Sequence, residues 1–258
     1  MSTRRIIAVL FALIASAMSA RAERLVISLS THQVAITSSF TGVDLTLFGA
    51  IEPDAASVGR VGGYTIITTV TGPRQGVVTW RKERVLGIWV NKDSRTFIDA
   101  PSYLAVLTNR PVETIAGPDA LRRFQVGLRN FLLPQQLGRD VGDVSPDDEF
   151  RRAFVRVKTE HGLYREQPNA VTFLTPSLFR TGVPLPANAP VGEYEVDVKL
   201  FGDGVMLARV STAFEIVKAG FEQYIAAAAR EHGLLYGLAT MMLALLTGWL
   251  GSVVFRRD

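Results

Sequence analysis

An uncharged stretch near the end of the sequence constrains this chain most. Gly233 to Phe255 is 23 residues without a charge, and Arg256 and Arg257 follow directly. At about 1.5 Å rise per residue, such a helix measures about 34 Å and crosses a hydrocarbon core of about 30 Å. A globular core helix of this length with no polar face is uncommon. The sequence therefore predicts a transmembrane helix over 233–255.

The first residues predict a secretory signal peptide. Two arginines precede an apolar run over residues 6–18, and Ala20-Arg21-Ala22 matches an A-x-A cleavage site. The run is short for an uncleaved anchor, since a spanning helix needs about 20 residues. We therefore expect residues 1–22 to be the signal peptide, with cleavage before Glu23.

Together the two ends predict a location and an orientation. The positive-inside rule places the tail 256–258 in the cytoplasm. We expect a single-pass protein of the inner membrane, with a periplasmic body over 23–218, a helical stalk over 219–232 and a cytoplasmic C-terminus. The lipid bilayer is then its first partner.

The charge distribution of the chain excludes nucleic acid as a partner. The formal net charge is +4, but the leader and the tail hold five of the 28 basic and one of the 24 acidic residues, which leaves 23 of each. A neutral body has no basic footprint for nucleic acid. The chain has no cysteine, so disulfides, thiolate nucleophiles and cysteine-based metal sites are excluded as well.

Alternating apolar and polar residues predict strands through much of the body. The clearest segment is GEYEVDVKLFGDGVMLARVSTAFEI, in which Asp203-Gly204 marks a hairpin turn. Its first strand has Tyr194, Val196, Val198 and Leu200 on one face, and Glu195, Asp197 and Lys199 on the other. A proline-rich loop before Tyr194 suits a tyrosine corner.

Two helices are predicted between the strands, within an insertion over about 113–162. The first covers 117–133, with an apolar stripe made of Leu121, Phe124, Leu128 and Phe131. The second covers 145–160, with Ser145 as a cap, Pro146 in the first turn, and Phe150, Phe154 and Val157 as the buried face. The predicted fold is mainly β with inserted helices (α+β): an immunoglobulin-like β-sandwich body plus one C-terminal transmembrane helix. One interrupted sandwich and two smaller ones both fit.

The search for chemistry yields no catalytic, cofactor or metal residues. His32, His161 and His232 are far apart in sequence, and the nucleophile and phosphate-loop motifs are missing. We therefore expect no enzyme and no cofactor. A tethered envelope hydrolase with a dispersed Ser/His/Asp site is the alternative. A small-anion binding or sensing module is another, and it would use Arg122, Arg129, Arg151 and Arg156.

Two further segments suggest contacts with partners. RKERVLGIWVN is interpreted as a hairpin or edge segment whose charges discourage aggregation; the functional alternative is a surface for an acidic partner with Trp80 or Trp89 beside it. In the predicted membrane helix, small residues follow nearly one face, which allows close helix–helix packing with a homodimer mate or another membrane protein: Gly233, Gly237, Ala244, Gly248 and Ser252.

The chain resembles a family of transmembrane proteins described from alphaproteobacteria. The resemblance is carried by RKERVLGIWVN, PSYLAVLTNRP, LPANAPVGEYEVDVKLF and AFEIVKAGFEQYIAAAAREHGLLYGL. It covers almost the whole mature chain and the order signal, body, anchor. It implies no activity and no catalytic residues, and it implies a permease of the sulfite-exporter type as a partner. We expect an accessory or interaction subunit of an inner-membrane transporter complex.

Overall fold

The structure is a computed structural model that describes residues 23–37, 40–52, 63–137, 140–143, 145–220 and 229–254. The predicted signal peptide (1–22), most of the predicted stalk and the predicted tail (256–258) lie outside the described residues. Strands are numbered β1 to β14 and α-helices α1 to α3 along the described chain.

Two β-sheets packed face to face form the body. The first sheet is antiparallel, in the order β1 (Arg24–Leu29), β3 (Gly42–Glu52), β12 (Leu178–Pro186) and β11 (Val171–Phe173). The second sheet has the order β10 (Tyr164–Gln167), β7 (Leu104–Thr108), β4 (Tyr64–Thr71), β13 (Gly192–Gly202), β14 (Val205–Lys218) and β2 (Gln33–Ile36). The pairs β10–β7 and β14–β2 are parallel.

One apolar core lies between these two sheets. The first sheet contributes Leu45, Leu47 and Phe179, and the second contributes Ile66 and Val198. These positions alternate along their strands as the sequence pattern requires. The mainly β class with few helices is confirmed, and a single sandwich holds both sheets.

The predicted tyrosine corner is present at the start of β13. The Tyr194 hydroxyl donates a hydrogen bond of 2.7 Å to the Pro190 carbonyl, four residues upstream. The Tyr194 ring is fully buried and stacks on Phe214, with ring centroids 5.0 Å apart. The corner therefore fixes the loop that leads into the longest hairpin of the sandwich.

A third, smaller sheet stands beside the sandwich. It has the order β5 (Arg74–Val85), β6 (Ile88–Pro101), β8 (Gln135–Leu137) and β9 (Asp140–Gly142). The two short strands β8 and β9 fall inside the predicted helical insertion, so that region is mixed rather than helical. Sequence periodicity gave no signal for strands of only three residues.

The helix predicted over 117–133 is much shorter. It is α1 (Pro118–Arg123), and the prediction is wrong beyond Arg123. Gln125 has a φ of 53°, its N–H bonds to the Arg122 carbonyl, and the Val126 N–H bonds to the Leu121 carbonyl. This is a Schellman motif, which ends a helix and is usually marked by glycine. Here glutamine takes that position, so the sequence signal was missing.

The rest of that segment still covers the sandwich. Residues 112–128 pack an apolar cluster on the outer face of the second sheet, against Ile67, Val106 and Phe201. The alternation of the strands predicts that this outer face is exposed to solvent, but the 112–128 segment buries part of it. Leu128 and Phe131 of the predicted stripe pack in a neighbouring cluster instead, beside Phe97 of β6.

The second predicted helix is α2 (Glu149–Glu160), with a different cap and a different buried face. Asp148, not Ser145, is the N-cap, and its carboxylate accepts a bond from the Arg151 N–H. Ser145 and Pro146 form the preceding turn, where Asp148 N–H bonds to the Ser145 carbonyl at 3.0 Å. Val157 is exposed. Its predicted place on the buried face is taken by Arg151, which neighbouring acceptors stabilise.

The last described element is α3 (Gly233–Val254), a helix long and apolar enough to cross a membrane. No part of its apolar window is buried against the rest of the described chain. The hydroxyls of Thr240 and Thr247 bond to carbonyls three and four residues earlier. Internally paired polar groups suit a hydrocarbon surrounding.

Candidate functional site

A charged cavity of about 200 Å³ lies on the outer face of the second sheet. Its floor comes from β4 and β13, and the turn after α1 closes one side. In the sheet, Asp197 pairs with Thr69, and Lys199 pairs with Arg209 of β14. Since side chains of paired residues share one face, β-register alone brings these groups together.

Ion pairs fix the floor of the cavity. Asp197 and Lys199 are 7% and 5% exposed, and the Lys199 ammonium contacts the Asp197 carboxylate. The Arg209 guanidinium bonds to the same carboxylate at 2.7 Å. The hydrogen bond and the charge of Asp197 raise the pKa of Arg209. One carboxylate therefore holds two cations in place.

The cavity keeps an excess of positive charge. Four cations line it, Arg74, Arg123, Lys199 and Arg209, against the two carboxylates of Glu195 and Asp197. Arg74 pairs at its rim with Asp99 at 3.3 Å. Arg123 has no ion pair with any described residue. Its guanidinium and the free N–H groups of Arg209 are donors available to an anion.

One buried hydroxyl in the cavity wall lacks a partner. Thr69 is 3% exposed, and its Oγ1 has no hydrogen-bond partner within the described part of the chain. Buried polar atoms are nearly always paired, so this hydroxyl is available to bond a group that enters the cavity. The wall also contains Gln125, whose positive φ is uncommon outside glycine.

No motif in the sequence marks this site. Period-2 alternation placed Asp197 and Lys199 together on one polar face, which for a surface strand is the solvated one. In the structure the 112–128 segment covers that face. The spacing of Asp197 and Lys199 shows that the two side chains share a face of β13. It does not show that another segment of the chain covers this face.

Three of the four arginines predicted for an anion site pair with neighbouring acids. Arg129 bonds to Asp147 at 3.0 Å, Arg151 to Asp143 at 2.6 Å, and Arg156 lies 3.9 Å from Glu160. These three line one shallow concavity, whereas Arg122 does not. The charges of these three arginines are therefore already paired within the described chain, although Arg152, which also lines this concavity, has no ion pair with a described residue.

The histidines lie away from the cavity. His32 and His161 are exposed, and His161 follows the last residue of α2. Neither lines the charged cavity. Among the described residues, no group of three His, Asp or Glu side chains could hold a metal ion.

RKERVLGIWVN forms the tip of the β5–β6 hairpin, as the structural interpretation of this string predicted. Residues 80–92 are exposed on both sides. Arg81 bonds to Glu149 of α2 at 3.0 Å, which supports the hairpin below its tip. The apolar residues at the tip have no cover within the described chain.

One protein family matches this chain over almost its whole described length. The sequence model of a family described as "Putative transmembrane protein (Alph_Pro_TM)" matches residues 24–257, from β1 through α3. The chain belongs to this family. The resemblance seen in the sequence is thereby confirmed, and the protein is membrane-associated with one candidate transmembrane helix near the end of the sequence.

Two other comparisons add little to this assignment. No curated protein matches the chain. Among solved structures, the N-terminal domain of the Streptococcus gordonii adhesin Sgo0707 aligns with 75% of this chain and 32% of that chain, at 9% identity and a TM-score of 0.28. The chain thus spans about a third of that structure.

In this member of the transmembrane family, α3 presents the predicted packing face. With about 100° per residue, Gly233, Gly237, Ala244, Gly248 and Ser252 lie within roughly 100° of one another. The same geometry adds Gly251, which the sequence analysis left out. No atom within 4 Å would meet a Cβ at Gly233, Gly237 or Gly248. Helix–helix packing through this face stays a prediction.

Proposed function

We propose that this protein is an accessory or interaction subunit of an inner-membrane transporter complex, with its β-sandwich displayed in the periplasm. One observation carries the proposal: α3 is apolar throughout and none of its window is buried against the described body. Its cover must come from lipid or from other membrane helices. The described body is a β-sandwich whose exposed surfaces are available to partners.

Sequence features outside the described residues support the orientation. The signal-like residues 1–22 favour export of the body, and Arg256 and Arg257 favour a cytoplasmic tail. The family resemblance favours a permease of the sulfite-exporter type as partner, and the small-residue face of α3 offers a contact for it or for a second copy.

Purification from the native membrane in mild detergent tests the accessory role. We expect the tagged full-length protein to retain a membrane permease in fixed stoichiometry. Recovery of the protein alone, or only with itself, would contradict the role. A control bait in which α3 is replaced by an unrelated transmembrane helix separates contacts through the anchor from contacts through the body.

The orientation has its own test, because the chain contains no cysteine. Single substitutions Glu193→Cys, in the exposed part of β13, and Arg257→Cys, in the tail, give two labelling sites. In spheroplasts, a membrane-impermeant maleimide should label the first and spare the second until the membrane is permeabilised. The reverse pattern would place the body in the cytoplasm.

The charged cavity favours a second candidate function, the binding of a small oxyanion. The unpaired Thr69 hydroxyl and the free Arg123 guanidinium are donors, and the lining has two more cations than carboxylates. Sulfate is a suitable first probe, since it carries two charges and accepts from several donors.

Calorimetric titration of the full-length protein with sulfate tests this candidate. We expect binding that is lost in Arg123→Gln and reduced in Thr69→Val. Arg122→Gln is the matched control, because the neighbouring side chain lies outside the cavity. No heat of binding in the wild type, or an equal loss in the control, would exclude the cavity as the site.

A further inference from the structure

The tip of the β5–β6 hairpin is an apolar cap on a protruding ribbon. Leu86 is 99% exposed and Trp89 65% exposed, and Val85, Ile88 and Val90 are exposed beside them. The last support from the described body is the contact of Arg81 with Glu149 of α2. A cluster of large apolar side chains on a soluble surface marks a contact with a partner or a membrane.

The backbone conformation at the tip is unfavourable for the apolar residue that occupies it, Leu86. Leu86 and Gly87 have φ values of 50° and 87°, which is the type I′ turn of a two-residue hairpin. The first central position of this turn favours Asn, Asp or Gly, and a bulky side chain at positive φ is strained. The β13–β14 turn of the same chain uses Asp203-Gly204 at 50° and 80°. The strained, fully exposed Leu86 therefore indicates a functional contact.

Cations surround the cap. Lys82 has no ion pair with a described residue, and Arg84 donates only to the Gly87 carbonyl, at 3.3 Å. Arg81 and Lys92 have carboxylate partners, Asp93 and Glu83. Residues 81–93 hold four basic and two acidic side chains, so the collar of the cap has a net charge of +2. An apolar cap with a cationic collar complements acyl chains beneath anionic headgroups.

The shape of the tip favours a bilayer over a protein groove. Val85 pairs with Ile88 and Arg84 with Trp89, so the two pairs lie on opposite faces of the ribbon. Leu86 lies at the end between these faces. A protein partner usually covers one face, whereas a bilayer surrounds an inserted tip on every side. The tryptophan suits the headgroup region.

The hairpin starts at the end of the sandwich from which the chain continues to α3. Gly192 pairs with Ile216, two residues before the end of β14, and a Cβ at Gly192 would lie 2.6 Å from Pro73 Cγ. Pro73 directly precedes β5. From Arg74 to Leu86 the ribbon spans about 40 Å. The 14 residues of segment 219–232 cover about 20 Å as a helix and up to about 45 Å extended. The hairpin is therefore long enough to reach the membrane that α3 crosses.

We propose that the tip formed by residues 85–90 inserts into the surface of the bilayer that α3 crosses, among anionic headgroups, as a second membrane contact of the body. The contact orients the sandwich relative to the membrane, because it adds a second attachment point to that of α3. The proposal requires membrane anchoring but not the accessory role, so a failed co-purification does not affect it.

Tryptophan fluorescence of the reconstituted full-length protein tests the insertion. The chain has three tryptophans, so Trp80→Phe with Trp249→Phe leaves Trp89 as the only reporter. In vesicles containing phosphatidylglycerol with brominated acyl chains, we expect blue-shifted and quenched Trp89 emission. Emission that is unquenched and matches that of water-exposed tryptophan would overturn the proposal.

Variants in this reporter background separate insertion from folding. Leu86→Asn creates the Asn-Gly turn that type I′ prefers, so the hairpin is retained while the apolar tip is lost. We expect quenching to disappear in this variant. Val205→Asn is the matched control, since Val205 is also exposed at the end of a hairpin, and it should leave quenching unchanged.

Two further experiments test the charge of the collar and the possibility of a protein partner. Lys82→Gln with Arg84→Gln should weaken quenching in anionic vesicles and change little in zwitterionic ones. Trp89 quenched equally in every variant would overturn the role of the tip. Trp89 shielded only when a second membrane protein is co-reconstituted would assign the tip to a protein contact and overturn lipid insertion.

Discussion

Arg151 holds three segments of the molecule together through one buried guanidinium. It is 2% exposed, bonds to Asp143 at 2.6 Å, and also donates to the backbone carbonyls of Phe131 and Arg129. The Asp143 carboxylate in turn accepts from the Leu133 N–H. The irregular chain after α1 and the loop before α2 are thereby fixed to one helix.

Replacing Arg151 tests this role at the scale of a residue. Arg151→Met removes the guanidinium donor from the buried Phe131 carbonyl, the partly buried Arg129 carbonyl and the Asp143 carboxylate. We expect a loss of about 2–4 kcal/mol in the free energy of unfolding, measured by urea titration. Arg152→Met, on the next and exposed position of α2, should change it by no more than about 0.5 kcal/mol. Equal effects of the two substitutions would contradict the structural role of Arg151.

The two long hairpins, β5–β6 and β13–β14, have the same turn geometry but different residues in the turn. Both long hairpins close with type I′ turns, but Asp203-Gly204 uses preferred residues, while Leu86-Gly87 places a strained apolar residue at the tip. The Leu86-Gly87 turn instead has a residue that is unfavourable for the turn but exposes an apolar side chain. For this reason we propose a membrane contact for the β5–β6 hairpin and not for the β13–β14 hairpin.

The packing face of α3 gives a prediction at the scale of an element. Gly237→Leu with Gly248→Leu places bulky side chains where close helix–helix contact requires none. We expect the co-purifying partner, or the dimer, to be lost, while circular dichroism shows a folded body. Ala239→Leu, on the opposite side of α3, is the control. An unchanged complex in the double variant would remove the predicted face.

Three buried tyrosines tie the whole body together. The hydroxyl of Tyr103 donates to Pro184 across the sandwich, Tyr164 to Pro101 at the base of the hairpin, and Tyr194 to Pro190 at the corner. Burial raises the pKa of each of these three phenols above the usual tyrosine range. The folded body therefore keeps protons that the unfolded chain releases in alkali.

The sign of this linkage predicts unfolding by base. Stability from the three phenols is fully present below about pH 10, where unfolded tyrosine stays protonated, and it decreases as pH rises above that value. We expect tyrosinate absorbance and loss of circular dichroism to rise together. Tyr194→Phe should reduce the steepness of the transition, and Tyr64→Phe is the control. Tyrosine ionisation well before unfolding would contradict the linkage.

Much of the architecture followed from local sequence. Alternation predicted β3 and β13, and β-branched residues predicted β4. Asp203-Gly204 predicted the turn into β14, and the loop before Tyr194 predicted the corner. These features depend on neighbours within a few residues, so a pattern in the chain specifies them. The apolar length of 233–254 determined membrane association for the same reason, since a span depends on composition and length alone.

Only the tertiary structure decided where charges are buried. Asp197 and Lys199 alternate like surface residues, but the segment after α1 covers them and creates the charged cavity. Arg151 lies in a helix among exposed arginines, and only its distant acceptors distinguish it. Helix α1 ends at Arg123 because Gln125 adopts a positive φ, and a glutamine in the sequence does not indicate this conformation as a glycine would. Each of these outcomes depends on contacts between residues far apart in the chain, and one sequence does not record those contacts.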